Sequence, residues 1–574
     1  MKWRIFNVCS ARGGSAFGGK TFFCAVLLCG VVHGEVAWRE PVSFSTVSNT
    51  GIGRSLYVVG NQPELGNWQP TGSVRLAVAG GSNWSGRVAL RSGAAVEYKF
   101  ISRVDSSGQH CENTNVVWMG GDNLATSVVA RPAAPYAGKT MYYHSSWTSA
   151  FVRWSVNGTN FFDTNFDRVG NGRNGGEYLF RAAGFAEEGQ PIQFVCAGFL
   201  NGTQYWDNAP YAGYGSGDYY TPLDVFFLQD GHVCNYWPPA APSAPTIITQ
   251  FVSSSIGGIP GRDVRIYLPR GYTNNAWKRY PVLYMHDGQN IFDPGGPYGT
   301  WGAEHSLTRE ISQGRMREVI VVGVNNNANR LAEYCPPGDS AAGNAGIADA
   351  YAGFLVHNVR PAIDGAFRTL NDRANTMTMG SSMGGLVSSW LALRTNVYGA
   401  AGVMSPSFWT APNFRGWIFS NDTKGVRLYL DGGTDEEASL WDHFWPVRGY
   451  LMQDGYVERG DLLTFLGCGQ IHNEAAWAAR TPVALRFLLD LWDEPNRLSK
   501  TEYPPRLEWE GATGVVHRTL SGFRYRLETT SNAVEGAWQP VQTSAVHQLP
   551  WSSQRWTTVQ SEKIALFRAV AEAP

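Results

Sequence analysis

The 574-residue chain carries little charge for its length. Asp, Glu, Lys and Arg together make up 16% of the residues, and the formal net charge is −1 at pH 7. No broad electrostatic field would draw such a protein to nucleic acid or to an anionic membrane surface. We therefore expect neither nucleic acid nor a membrane among its partners.

Metal-ligand patterns and long apolar runs are also missing. No CxxC pair or histidine cluster has the spacing of a zinc site, so we predict no structural or catalytic metal. Beyond the N-terminal segment, no apolar run reaches the roughly 20 residues that cross a bilayer. We therefore expect the mature chain to be soluble.

The N-terminal segment, residues 1–37, predicts a secretory signal peptide. Lys2, Arg4, Arg12 and Lys20 precede an apolar run, and small residues follow that run. Basic residues, a short apolar stretch and small residues form the pattern of a cleaved secretion signal. We therefore expect a secreted protein, either extracellular or periplasmic.

Cysteine is scarce in the remainder. The chain has 8 cysteines, and removal of the three in the signal segment leaves five, at positions 111, 196, 234, 335 and 468. Five thiols cannot all pair within one chain, so we expect at least one to be free and buried. Cys196 and Cys234 fall in the same predicted domain and form the favoured disulfide, although connectivity does not follow from sequence.

Aromatic residues and short alternating runs are plentiful, by contrast. The chain has 22 Trp, 25 Tyr and 28 Phe. Up to about residue 240, runs such as SLYVVG and VEYKFISR alternate with Gly, Asn and Ser turns, a pattern typical of β-sandwiches. Breakers rich in Pro and Ala at 131–138 and 236–246 divide this half into two domains and a stiff linker.

The pattern changes after the linker. Buried strand-like runs alternate with longer helical stretches, which predicts a doubly wound, mostly parallel sheet. The tail returns to short alternating segments and predicts a small β domain. The predicted order is signal peptide 1–37, first β-sandwich 38–132, second β-sandwich 138–238, linker 239–247, α/β domain 248–495 and C-terminal β module 503–574.

The first predicted sandwich contains motifs that point to sugar binding. Residues 54–123 include GRSLYVVGNQPELGNWQP, VEYKFI and VVWMGGDN, and they resemble a family 20 carbohydrate-binding module, the starch-binding domain of amylases. The resemblance implies a site formed by Trp68, Lys99, Trp118 and Asn123. Flat indoles can stack on successive glucose rings while the amine and an amide bind hydroxyls. A core role for both tryptophans is the alternative.

The second predicted sandwich also contains motifs that point to sugar binding. IQFVCAGFLNGTQYWDNAPYAGYGSGDYY and the earlier YYHSSW are similar to starch-binding families 25 and 26. This similarity implies sugar contacts by six residues of these motifs, namely Tyr143, His144, Trp147, Trp206, Asp207 and Asn208. An ordinary sandwich with core aromatics is the alternative.

The stretch TMTMGSSMGGL, residues 376–386, fits the pattern G-x-S-x-G with Ser382 at its centre and Ser381 as the variable residue. A strand before it and a helix after it predict a nucleophile elbow, in which the serine hydroxyl projects into a cleft. The Met383 amide lies at the start of that helix and can donate to an oxyanion.

A hydroxyl nucleophile needs a base, which in this type of site follows the acid in chain order Ser, Asp/Glu, His. His472, in LGCGQIHNEAAW, lies in a loop between a strand and the final helix and is the predicted base. His443 is the competing histidine, and its expected role is structural.

The acid should follow the strand in VRLYLDGGTDEE. A G-x-x-acid turn counted from Gly433 selects Glu436, whereas the same count from Gly432 selects Asp435. We slightly favour Glu436 and keep Asp435 as the alternative. Asp431 is expected to lie too early, at the end of the strand.

A second oxyanion donor should come from the loop after an early central strand. In PVLYMHDGQNIFD, Gly288 and Gln289 follow the apolar run, and the Gln289 amide is the favoured donor. His286 and Asp287 could also act in catalysis, but their expected role is to fix this loop by hydrogen bonds.

Five motifs occur in order between 250 and 495: VLYMHDGQNIFD, VVGVNNNANRLAEYCPP, MGSSMGGLVS, MSPSFW and HNEAAW. They resemble the Putative esterase (esterase D-like) family of α/β-hydrolases, which includes feruloyl, acetyl xylan and siderophore esterases. The resemblance implies acyl-ester hydrolysis by Ser382, His472 and an acid at 435 or 436, without a cofactor. Four residues are candidates to line the acyl or sugar pocket, with core packing as the alternative for the tryptophans: Trp301, Glu333, Tyr334 and Trp409.

Together, the motifs predict a secreted serine esterase held on starch or a related α-glucan. One alternative is a glycan-binding protein whose hydrolase domain is inactive. Another is an acyltransferase, or an esterase for a non-carbohydrate ester, that uses starch only as an anchor.

Overall fold

A computed structural model describes most of the chain. It covers residues 2–6, 39–91, 93–105, 111–128, 138–156, 160–171, 176–186, 192–207, 218–221, 223, 225–234, 243–274 and 278–489, and the backbone of six strands between 506 and 572. The first strand, β1 (Lys2–Phe6), belongs to the predicted signal segment 1–37, and residues 1 and 7–37 of that segment lie outside the described residues.

Residues 39–128 form a two-sheet sandwich because apolar side chains alternate along its strands and enter one core, which includes Phe44, Leu56, Val88 and Phe100. The strands are β2 (Arg39–Val47), β3 (Arg54–Gly60), β4 (Val74–Arg75), β5 (Ala77–Gly80), β6 (Asn83–Arg91), β7 (Ala95–Val104), β8 (Val117–Trp118) and β9 (Leu124–Ser127). One sheet has the order β2-β6-β5 and the other β4-β3-β7-β8, with β9 paired to β7.

The second sandwich is built in the same way around a core that includes Met141, Val152, Phe194 and Phe226. Its strands are β10 (Lys139–Ser145), β11 (Ser149–Ser155), β12 (Phe162–Asn165), β13 (Asp167–Asn171), β14 (Tyr178–Phe185), β15 (Ile192–Leu200), β16 (Thr203–Asp207), β17 (Tyr219–Thr221), β18 (Val225–Gln229) and β19 (His232–Cys234). The sheets are β13-β14-β10-β18-β19 and β12-β11-β15-β16, with β17 paired to β15.

The α/β domain follows. Its strands are β20 (Thr246–Val252), β21 (Arg262–Leu268), β22 (Val282–His286), β23 (Ile320–Val324), β24 (Ser340–Ala341), β25 (Asn344–Ala345), β26 (Thr376–Ser381), β27 (Ala400–Met404), β28 (Arg427–Gly433) and β29 (Leu462–Gly467). Its helices are α1 (Ala303–Ser312), α2 (Arg330–Glu333), α3 (Ala348–Phe354), α4 (Arg360–Ala366), α5 (Met383–Arg394), α6 (Pro412–Ser420), α7 (Ala438–Gln453) and α8 (Glu474–Leu488). A π-helical turn, Leu355–Val359, joins α3 to α4.

Eight of these strands form one sheet in the order β20-β21-β23-β22-β26-β27-β28-β29. The strands from β23 to β29 in this order are parallel, and β20 and β21 pair antiparallel at one edge. Successive side chains of β22 enter different cores, Leu283 one and Tyr284 the other. Helices α5 and α7 cover one face and α1 and α8 the other, so the sheet is doubly wound as predicted.

The first sandwich packs directly on the α/β domain. The amide of Ala89 donates to Glu458 O at 3.0 Å, and the amide of Glu458 donates to Arg87 O at 2.9 Å, which joins the two backbones as in a short sheet. The Arg75 guanidinium lies 4.4 Å from the ring centre of Trp445.

A disulfide joins the same two domains. Cys111 of the first sandwich is bonded to Cys468 of the α/β domain, and Cys196 is a free, buried thiol. The predicted Cys196–Cys234 bridge is therefore wrong. The two residues lie on strands of different sheets, β15 and β19, and the Cys196 side chain is buried in the core between them. The expectation of a buried free thiol is confirmed by Cys196 and Cys335.

The tail contains β30 (Arg506–Glu510), β31 (Thr513–His517), β32 (Arg524–Thr530), β33 (Gln539–Thr543), β34 (Ser553–Thr557) and β35 (Leu566–Glu572). They form two sheets, β1-β35-β32-β33 and β30-β31-β34. Across the part of the chain that the structure describes, no helix has the length and apolarity to cross a membrane.

Candidate active site

Ser382 lies at a sharp turn between β26 and α5. Its backbone has φ 58° and ψ −123°, a conformation that costs a non-glycine residue free energy. A Cβ on Gly380 would lie 2.8 Å from the backbone of Gly384, and a Cβ on Gly385 would lie 2.5 Å from Met404 O. The glycines are therefore required for the turn to close.

The two adjacent serines differ in their surroundings. Ser381 ends β26 and is buried, whereas Ser382 is partly exposed. The amide of Ser382 donates to Met404 O at 3.0 Å, and the amide of Ser407 donates to Ser382 O at 3.1 Å. The hydroxyl of Ser382 lies 3.2 Å from that of Ser407, so residues 404–407 hold this serine.

His472 and Glu436 lie together at the carboxyl ends of β29 and β28, in the same parallel sheet as β26. The distance from His472 Nδ1 to Glu436 Oε2 is 2.7 Å. The carboxylate is almost fully buried, and the imidazole keeps about a third of its surface exposed. A proton on Nδ1 leaves Nε2 as the nitrogen that can accept one.

Glu436 is held ionised despite its burial. Burial alone would raise its pKa, but hydrogen bonds from His472, from the Ser405 hydroxyl at 2.6 Å and from the Gly433 amide at 2.7 Å lower its pKa below the ordinary value. Because these donors stabilise the charged form, the carboxylate can support positive charge on His472.

The other acids of this segment occupy different places. Asp435 is exposed, and its amide donates to Gln470 O at 3.0 Å. Asp431 is fully buried in β28, where it accepts hydrogen bonds from Arg480 and Tyr429. The structure thus brings Glu436, and neither aspartate, to His472.

A buried group that sequence reasoning missed supports this pair. Arg480, on α8, is fully buried and donates to Asp431 at 2.9 Å and to the Ser405 hydroxyl at 2.7 Å. Trp477 Nε1 also donates to the Ser405 hydroxyl, at 3.0 Å. The available signal was an arginine among the apolar residues of the final helix, which favours a buried ionic partner.

The predicted oxyanion donors follow two neighbouring parallel strands. Met383 is the first residue of α5, after β26, and Gln289 lies in the 3₁₀ turn Gly288–Asn290, after β22. The Gln289 side chain accepts the Asn326 amide at 3.1 Å, which fixes this turn. A Cβ on Gly288 would lie 2.3 Å from Gly323 O, so a glycine is needed there.

His286 and Asp287 make contacts that secure this turn. The ring nitrogens of His286 lie 3.0 Å from the hydroxyls of Tyr351 and Thr378. Burial lowers the pKa of His286 to about 4, so the ring is neutral near pH 7. Asp287 pairs with Arg330 through two contacts of 2.8 Å. His443, the competing histidine, lies 2.9 Å from Arg415 Nη1.

Three of the four pocket candidates are core residues. Trp301 packs on Trp477 with ring centres 6.1 Å apart, Tyr334 is fully buried, and the Glu333 carboxylate is buried against Arg262 at 2.6 Å. Trp409 is half-buried, and its ring centre lies 6.4 Å from that of His472.

One group of side chains in the described residues has atoms close enough to hold a metal, Asp293, Glu304 and His305. Asp293 and His305 are about half exposed and already pair with each other at 3.1 Å. This arrangement is a hydrogen-bonded contact at the surface, remote in sequence from His472.

The predicted sugar-binding residues of the first sandwich share one face. Trp118 is opposite Ile101 on β7, and Lys99 lies two residues from Ile101 on the same face. Trp68 packs partly buried against this face, and Trp118 is 44% exposed. The Lys99 amine donates to Gly121 O at 2.8 Å, and the exposed Asn123 immediately precedes β9.

The candidates of the second sandwich are separated. Trp206 is opposite Ala197 on β15, whereas Trp147 covers the adjacent Gly198, so the two rings lie on opposite faces of the sheet. They cannot form one stacking platform. The Tyr143 hydroxyl donates to Asp207 at 2.8 Å. His144 is half-buried beside Tyr143, and Asn208 lies outside the described residues.

Two family models match this chain. Residues 259–487 match the family described as Putative esterase, and residues 39–135 match the one described as Starch binding domain. The chain carries an esterase domain and a starch-binding domain. Both resemblances inferred from the sequence are confirmed. The similarity of the second sandwich to families 25 and 26 stays a prediction.

Individual relatives match parts of the chain. An alpha-amylase of Streptomyces violaceus is 39% identical over 88 residues, 15% of this chain and 14% of the amylase. An endo-1,4-beta-xylanase/feruloyl esterase of Xylanibacter ruminicola is 27% identical over 194 residues, 33% of this chain and 24% of that protein. The structure of a ferulic acid esterase aligns with 43% of this chain and 98% of its own, at 20% identity and a TM-score of 0.35. The chain thus spans less than two thirds of either curated relative.

Proposed function

We propose that this protein is a secreted serine esterase, anchored on starch or a related α-glucan, that hydrolyses carboxylic (acyl) esters. The observation that carries the proposal is the 2.7 Å contact between His472 Nδ1 and Glu436 Oε2, in the same sheet as the strained turn of Ser382. A serine, a histidine and a buried acid at the carboxyl ends of parallel strands are the parts of an acyl-transfer site.

The proposed reaction assigns a role to each of these residues. His472 Nε2 takes the Ser382 proton as the hydroxyl oxygen attacks the ester carbonyl, and Glu436 stabilises the resulting imidazolium. The amides of Met383 and Gln289 donate to the tetrahedral oxyanion. His472 then protonates the leaving alcohol, and a water molecule, activated by the same imidazole, releases the acyl group from Ser382. These steps require no cofactor.

The supports around Glu436 favour an active enzyme over an inactive hydrolase domain. Four groups donate to this buried carboxylate, namely His472, the Ser405 hydroxyl, the Gly433 amide and Arg480 Nη2, and burying a charge without such partners would be costly. An inactive domain has no need to keep a charged group in that position.

Starch anchoring is proposed from the exposed face that carries Trp68, Lys99 and Trp118. Holding the enzyme on a glucan raises the local concentration of esters attached to that glucan. The Cys111–Cys468 disulfide supports secretion, because such bonds persist in oxidising compartments.

The test uses neighbouring serines. Ser382→Ala should abolish turnover of soluble acetyl and feruloyl esters, and the matched variant Ser381→Ala should retain it. Full turnover by Ser382→Ala would refute the nucleophile assignment. Comparing the same acyl groups on soluble and on starch-linked alcohols then measures whether anchoring helps, with equal rates counting against it.

A further inference from the structure

Cys111 of the starch-binding domain contacts both loops that carry the His472–Glu436 pair. Its sulfur is bonded to Cys468, which lies four residues before His472. The same sulfur lies 3.8 Å from the hydroxyl of Thr434, two residues before Glu436. The starch-binding domain therefore touches the esterase site at the loops that hold its base and its acid.

These two loops are bonded to each other along their length. The Thr434 amide donates to Gly467 O at 2.9 Å, and its hydroxyl accepts from the Gly469 amide at 2.8 Å. The Asp435 amide donates to Gln470 O at 3.0 Å. A displacement of the segment around Cys468 would therefore be transmitted to both loops.

The segment just before His472 lies at the surface of the protein. Cys468 and Gly469 are exposed, and Ile471 is 51% exposed. The His472 ring packs on Trp477, with ring centres 4.9 Å apart, but the exposed residues before it add little apolar packing, so a covalent bond to a fixed neighbour matters more here than in a buried segment.

The neighbour on the other side of the bond is fixed. Backbone hydrogen bonds join Ala89 and Arg87 of the starch-binding domain to Glu458, which precedes the strand leading to Cys468. The Arg75 guanidinium stacks over Trp445 in the same interface. Cys111 therefore belongs to a domain that is anchored to the esterase independently of the disulfide.

We propose that the Cys111–Cys468 bridge positions His472 for proton transfer with Ser382. In this arrangement the starch-binding domain has a second role besides binding the glucan, because it holds the loop that carries His472 in position. The inference rests on the proposed function, in which His472 is the base. Small displacements of a catalytic group lower turnover steeply, by up to about 100-fold for a shift of about 1 Å.

The experiment uses the full-length chain and a small soluble acyl ester without sugar, so that starch affinity does not enter. The double variant Cys111→Ser/Cys468→Ser should lose kcat by up to about 100-fold while KM changes little, because the substrate pocket remains. Retention on insoluble starch should be unchanged. The matched control is Cys335→Ala, a free buried cysteine of the esterase domain, which should keep kcat.

A reductant supplies a second, independent readout. Dithiothreitol gives two electrons and two protons to the partly exposed bridge, forming two protein thiols and its own cyclic disulfide. The wild type should then lose kcat to the level of the double variant, and the double variant should not respond. Thiol counting verifies reduction, and circular dichroism verifies that the chain remains folded.

The outcomes separate the two proposals. An unchanged kcat in the folded double variant, or in the fully reduced wild type if the variant does not fold, overturns the positioning role and leaves the esterase proposal intact. A bridge that serves stability alone would lower the unfolding temperature without changing kcat. Full turnover by Ser382→Ala would instead overturn the esterase proposal itself.

Discussion

Arg480 Nε donates to Asp431 Oδ2 at 2.9 Å, and both side chains are fully buried. The same guanidinium donates to the Ser405 hydroxyl, which donates in turn to Glu436. This buried ion pair therefore lies behind the acid of the proposed triad. It ties α8, which carries Arg480, to β28, which carries Asp431.

Loss of this arginine should destabilise the fold strongly. Arg480→Met leaves Asp431 buried without its ionic partner, and breaking such pairs typically costs about 3–5 kcal/mol. Urea unfolding monitored by circular dichroism measures the free energy of unfolding. Arg486→Met, a partly exposed arginine on the same helix, should cost less than about 1 kcal/mol. Equal losses in the two variants would contradict the assigned role.

Substitution of each candidate acid should show whether Glu436 or Asp435 acts in catalysis. Glu436→Gln keeps the shape but removes the charge, and an amide there lowers kcat by about 10⁴-fold in comparable triads. Asp435→Asn should retain most of the activity, because Asp435 is exposed and makes no contact with His472 among the described residues. The measurement is the steady-state kcat/KM of both variants on a soluble ester. A larger loss of kcat/KM in Asp435→Asn than in Glu436→Gln would reverse the assignment.

Protonation of His286 should make stability depend on pH. Burial lowers its pKa from 6.5 to about 4, so the unfolded chain binds a proton more readily than the folded one. The contribution of the neutral His286 ring to the free energy of unfolding is complete above pH 6.5. It is lost as the pH falls from 6.5 towards 4, and the loss amounts to roughly 3 kcal/mol. Urea unfolding at several pH values in this range gives the free energy of unfolding, which should fall more steeply with decreasing pH in the wild type than in His286→Asn. Parallel curves would contradict the prediction.

The exposed indole of the starch-binding domain should contribute to glucan affinity. Trp118→Ala removes a stacking surface worth roughly 1.5–3 kcal/mol, which corresponds to about 10- to 100-fold in Kd. Hydrolysis of a soluble ester should be unaffected. Phe419→Ala removes another exposed aromatic, on a helix of the esterase domain, and should leave starch binding unchanged. Undiminished retention of Trp118→Ala on insoluble starch would exclude a stacking role.

The parts of this protein that depend on local chemistry were predictable. The elbow around Ser382 follows from sequence because its central requirement is local: Gly380 avoids a collision with the backbone of Gly384, only four positions away. The doubly wound sheet follows from alternating strand-like and helical runs. The β-rich starch-binding region before the esterase domain follows from the change between these patterns.

Contacts that depend on register or on turn geometry were not predictable in the same way. In GGTDEE, counting from one glycine or from the next selects Asp435 or Glu436, so the sequence left both acids open. Only the folded turn shows that Glu436 lies against His472. Trp147 and Trp206 both belong to motifs similar to sugar-binding ones, but strand pairing sends their rings to opposite faces. Because side chains alternate along a strand, the sequence pattern around each tryptophan does not reveal which partner it meets.

The sequence by itself indicated the two recognised domains and singled out Ser382 and His472 as candidates, because each of these signals depends on residues close together in the chain. Tertiary structure alone decided which carboxylate lies against His472 and that the buried Arg480 stands next to it. It also decided the disulfide, which joins cysteines 357 positions apart. Such pairings are set by how domains and strands dock, and no local pattern encodes them.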